Sequence, residues 1–118
     1  LHQEYEEYWK EKLETNWKIG HWRWLKDASV EAVDYFNQYE QFEINEFDSR
    51  REQPLHEALE YKNIPVAVYL LDNGANLDTN NAKGQSIEYL IQQNNEIEDY
   101  AFLTEAYQMA LQRSSLSL

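Results

Sequence analysis

Cysteine is absent from this 118-residue chain, which excludes disulfides, thiolate metal sites and a cysteine nucleophile. Basic residues are scarce. Ten Lys and Arg stand against 22 Asp and Glu, a net charge of −12 with histidine neutral. A surface so poor in positive charge has no footprint for a nucleic-acid backbone or an anionic bilayer. No apolar run approaches the length of a membrane span. Glycine and proline number only 3 and 2, so each one punctuates the chain legibly. Aromatic residues are what the chain has in quantity. At 14% they offset a mean hydropathy of −0.84 and argue against a disordered acidic chain. The length suits one domain.

The periodicity is helical throughout. Tyr5, Tyr8, Trp9, Leu13 and Trp17 recur at helical spacing, and Ile19-Gly20 breaks the pattern. A short helix is expected over His21–Lys26. Ser29 then caps a helix whose apolar face is Ala32, Val33, Tyr35 and Phe36. Pro54 opens the next helix, where its missing N–H costs nothing, with Leu55, Ala58 and Leu59 as its stripe. Asn63-Ile64-Pro65 turns the chain into a helix that carries Val66, Ala67, Tyr69, Leu70 and Leu71, closed by Asn73-Gly74. Ser86 caps a helix with Ile87, Leu90 and Ile91. The last helix is expected to be lined by Ile97, Tyr100, Ala101, Thr104, Tyr107 and Leu111, with fraying from Ser114.

An internal period of 33 residues separates Ile44-Asn45 from Leu77-Asp78 and Asp48 from Asn81. Periods of this size indicate stacked repeats. Pro54-Leu55-His56-Glu57-Ala58 resembles the TPLHxA signature of ankyrin repeats, and Tyr69–Asp78 resembles the LLxxGAdvn segment that ends one. Gly84-Gln85-Ser86 resembles the GxT that opens the next. Residues 53–86 therefore match one whole repeat, and the flanks match less well. Arg51 stands where Gly is common. The resemblance implies an all-α ankyrin-repeat solenoid with an extra N-terminal capping helix. The expected boundaries are a capping helix over 1–18, a degenerate first repeat over 19–45, a full repeat over 46–78, a C-terminal capping repeat over 79–113 and a frayed tail over 114–118.

Residues that could carry chemistry are few. The resemblance makes Pro54, Leu55, His56, Ala58 and Gly74 structural, with His56 bonding between neighbouring turns. His2, His21 and His56 lack metal-ligand spacing. No serine sits in a nucleophile-elbow context. Carboxylate neighbours such as Glu6-Glu7 and Glu98-Asp99 read as solvated faces. No cofactor is expected, and the chain reads as non-enzymatic. A small hydrolase acting through two facing carboxylates is the alternative from another class.

All four tryptophans fall between Trp9 and Trp24. They are expected to form an aromatic cap, although Trp22 and Trp24 cannot share one helix face and one of them is the candidate for exposure. Between Asp27 and Asp48 the acids Asp27, Glu31, Asp34, Glu40, Glu43, Glu46 and Asp48 run without a single Lys or Arg. The first 60 residues carry 15 acids against 7 bases. Such a strip would steer a basic partner.

In the resembled family, partners meet the hairpin tips and the inner helix face. That places Arg23, Glu46, Phe47, Asp48, Arg50, Arg51, Glu57, Tyr61, Asn80 and Lys83 among the expected contacts, with Phe47 as the aromatic anchor. The expectation is a protein-binding module, monomeric when free, with a basic protein as partner. Its narrower form is an inhibitor or immunity protein of a basic toxic enzyme, and its alternative is a capped fragment of a longer ankyrin scaffold. A cytoplasmic location is favoured. The start at Leu1 keeps a cleaved signal peptide as the competing reading.

Overall fold

A computed structural model describes residues 22–39 and 43–116, leaving aside the side chains of Arg23, Trp24, Tyr39, Ser115 and Leu116. The expected capping helix over 1–18, with Trp9 and Trp17, lies outside the described residues, as do His2, His21 and Glu40. Among those described, a 3₁₀ turn over Arg23–Asp27 precedes five α-helices: α1 Val30–Tyr39, α2 Pro54–Glu60, α3 Ile64–Asp72, α4 Ile87–Gln92 and α5 Tyr100–Leu116.

Local chemistry sets most of these boundaries. The Ser29 hydroxyl accepts the Ala32 N–H at 3.1 Å and starts α1. Gln53 and His56 form a reciprocal capping box at the start of α2, with Pro54 in its first turn. Asn63 ties the α2–α3 turn to the 3₁₀ segment, its side chain donating to the Leu25 and Ala28 carbonyls at 2.7 and 2.9 Å. Gly74, at φ 94°, ends α3 in the left-handed conformation. The Ser86 hydroxyl accepts the Tyr89 N–H at 3.0 Å and starts α4.

The helices enclose one core. Trp22, Leu25 and Phe36 meet Leu55, Leu59 and Leu70 within it. α3 packs against α5 and α1, while α2 packs against α3, α4 and the 3₁₀ turn. The buried face of α5 is Leu103, Ala106 and Ala110, with Tyr100 and Tyr107 partly covered. Ala101 and Leu111, expected to point inward, are exposed. The two buried alanines are small enough to let α5 approach α3 closely. α5 also continues through Ser114 to Leu116, and Arg113 bonds the Leu71 carbonyl at 3.0 Å.

The chain is all-α, but the expected ankyrin-type solenoid is not what it forms. A solenoid has one long axis. Here the extents are 37 × 33 × 29 Å and the radius of gyration is 14.0 Å, close to the about 13.5 Å of a compact globule of this length. The helix contacts do not follow one regular stacking direction. The likeness to ankyrin repeats therefore stops at local turns and caps. Those features depend on residues a few positions apart and do not dictate how helices assemble.

The 33-residue period does survive locally. The Asp48 N–H donates to the Glu52 carbonyl at 2.9 Å, and the Asn81 N–H donates to the Gln85 carbonyl at 3.0 Å. In each turn the side-chain Oδ1 of the first residue accepts the N–H of the last, at 3.0 and 2.9 Å.

Candidate interaction site

The segment from Glu43 to Gln53 lies between α1 and α2 and carries half of the ten expected contact residues. It is pinned at several points. The Trp22 indole N–H donates to the Glu46 carbonyl at 2.8 Å. Asp48 accepts from the N–H groups of Trp22, Arg50 and Glu52 at 3.0, 2.8 and 3.0 Å, and from the Arg50 guanidinium at 2.8 Å. Gln53 Nε2 donates to the Asn45 carbonyl at 2.7 Å. Burial opposes the charge on Asp48, but these donors outweigh it and hold its carboxyl below the usual pKa.

The pinning leaves Phe47 in water. Phe47 is 47% exposed as a residue, between the held Glu46 and Asp48. Glu43 and Glu46 are exposed on the same segment, as are Asp27 and Glu31 on earlier ones. Asp34 is engaged elsewhere. It accepts from the Tyr69 hydroxyl at 2.8 Å and from Gln38 at 2.7 Å, clamping α1 to α3. Arg51 is exposed at φ 65°, the left-handed region that explains why glycine would suit this position. Tyr61 is 41% exposed at the end of α2. Asn80 and Lys83 lie exposed on the second turn, with Lys83 paired to Glu60 at 3.1 Å. Arg23 opens the 3₁₀ turn.

Two expected contact residues point inward. The Asp48 side chain is only 2% exposed. Glu57, expected on an open helix face, is fully buried and receives the Arg50 guanidinium, which bridges it to Asp48. Burial pushes the Glu57 carboxyl up, and Arg50 counters it. Glu52 is buried beside them. Desolvation, then the neighbouring Glu57 and Glu60, push its carboxyl up to about 7. Both Glu52 and Glu57 keep one Oε2 enclosed without a hydrogen-bond partner.

His56 is buried at the centre of this region. Its Nδ1 accepts the Gln53 N–H at 3.0 Å, so the proton sits on Nε2, which faces the Thr79 carbonyl at 3.4 Å. Burial lowers its pKa. The ring thus ties the start of α2 to the segment after α3. Replacing His56 with Ala should destabilise the protein by about 1–3 kcal/mol. Urea unfolding measures this, and an unchanged midpoint would remove the structural role.

A groove of about 630 Å³ lies between the ends of α3 and α5. Leu71, Ala75, Leu77 and Ala110 form its apolar wall, and Asp78 and Arg113 are its ionisable residues. It does not present two facing carboxylates. Among the described residues no group of three or more His, Asp or Glu is placed to hold a metal ion, and no helix is long and apolar enough to cross a membrane.

The chain was compared with family models, curated proteins and solved structures, and none matches it.

Proposed function

We propose that this small helical domain is a non-enzymatic interaction module that captures a partner protein through the Phe47 tip. The observation that carries the reading is a large aromatic ring held in water between two pinned neighbours. Folding has already ordered that segment, so little further ordering is needed on binding. Aromatic side chains are enriched at protein interfaces. The exposed Glu43 and Glu46 beside the ring favour a basic partner. Inhibition of a basic enzyme that normally receives a polyanion is the narrower form of the proposal, and it rests on charge complementarity.

Affinity capture followed by mass spectrometry identifies the partner, and Phe47→Ala then tests the tip. The expected result is an essentially unchanged melting temperature with Kd weakened about tenfold or more. Association should slow steeply as salt is raised. A large fall in melting temperature would place Phe47 in the core. Salt-indifferent binding would remove the basic-partner reading.

A further inference from the structure

The two repeated turns differ in one chemically decisive respect. In the second, both key side chains are amides, and Asn81 Nδ2 donates to Gln85 Oε1 at 2.8 Å. In the first, the corresponding residues are Asp48 and Glu52. Backbone bonding is the same in both turns, yet a carboxylate at Asp48 has no hydrogen to donate to Glu52. Glu52 is 5% exposed, and its Oε2 is enclosed without a partner. The nearest cationic candidate fails. His56 Nδ1 lies 3.6 Å away, but its lone pair accepts the Gln53 N–H, so that nitrogen carries no proton to offer Glu52. Two acceptors facing one another do not form an ion pair.

We infer that Glu52 is a protonation switch: it completes the folded turn as the neutral acid, the counterpart of Gln85, and its ionisation loosens the 48–52 turn that holds the Phe47 tip. A second carboxylate then faces Glu57 and Glu60 on α2 and Asp48 in the turn. Arg50 is the cation of the turn placed against it; its Nη2 is engaged with both Asp48 and Glu57, and its Nε is enclosed without a bond to Glu52, so its charge only partly offsets the three carboxylates. Lys83, on the second turn, is engaged with Glu60. Because Glu52 supplies the backbone N–H to Asp48 Oδ1 and the carbonyl to the Asp48 N–H, displacing it frees Asp48. Asp48 in turn holds the Trp22 N–H.

The sign follows from the raised value. The contribution of neutral Glu52 is fully present below the unfolded carboxyl range and is lost as pH rises through about 7. His56, with its lowered pKa, acts oppositely: its contribution is present above its unfolded value near 6.5 and is lost on acidification. A bulk stability profile mixes these with the raised Glu57 and the lowered Asp48, so the test must be residue-specific.

Carbon-detected NMR of the whole chain between pH 4 and 9 follows the Glu52 carboxyl directly. The expected midpoint is near 7, with the Trp22 indole N–H and the Phe47 ring shifting at the same midpoint. Glu52→Gln should hold both reporters at their low-pH positions across the range. A Glu52 midpoint in the ordinary range of 4 to 5 overturns the inference. Reporters that do not follow Glu52, or that keep the transition near 7 in E52Q, overturn it equally. None of these readings requires a binding partner.

Discussion

Trp22→Ala should unfold this protein more readily than any substitution at the tip itself. Trp22 is 1% exposed and is the largest fully buried side chain among the described residues. Removing a buried indole costs about 3–5 kcal/mol in lost burial and residual cavity. It also strands the Glu46 carbonyl that the indole N–H satisfies at 2.8 Å. At roughly 4 °C per kcal/mol for a chain of this size, the melting temperature should fall by about 12–20 °C. Trp22→Phe should recover much of the burial but not the hydrogen bond, and so fall between the two. Calorimetry on the three proteins decides it. A change below about 4 °C for the alanine variant would mean that the ring is not packed as described.

Arg50→Ala should cost about 3 kcal/mol, near the lower end for breaking one side of a buried ion pair. Glu57 is completely buried, whereas a third of the Arg50 side chain meets water, which moderates the penalty. Loss of the guanidinium leaves the Glu57 carboxylate enclosed without a cation and takes one of four donors from Asp48. The expected signature is non-additive. Glu57→Gln removes the stranded charge, so the double variant R50A/E57Q should be more stable than R50A alone. Equal stability of the two, or an Arg50→Ala cost below about 1 kcal/mol, would reduce the pair to an ordinary surface salt bridge.

These residues show how far the chain can be read without coordinates. Ser29, Pro54, Gly74 and Ser86 mark helix ends in the sequence, and the structure uses each of them there. The spacing of Asp48 and Asn81 reads as a stacked repeat; the two turns share their backbone bonding, but the stack does not form. The burial of Trp22 was harder to see, because spacing showed only that it and Trp24 could not share a face. Glu57 looked like an open contact residue because its position in the helix says nothing about what Arg50 does seven residues earlier. The α5 stripe was misread for a similar reason. Tyr100 and Tyr107 do pack against the core in part, but Leu111 and Ala101 face water while Ala106 and Ala110 are buried against it.

Read alone, then, the chain establishes an acidic, cysteine-free, all-helical domain, the places where its helices start and stop, and an aromatic residue in a polar turn, whose exposure only the structure decides. Capping and turn formation depend on hydrogen bonds between residues two to five positions apart, and those are written locally. The compact assembly, the inward turn of Asp48 and Glu57, and the enclosure of Glu52 were set by contacts across the fold. Apolar burial is non-directional, so one set of stripes is compatible with an extended stack or a near-isometric globule. Only the packed arrangement determines which carboxylates lose their water, and with it which are pushed above the usual carboxylate range.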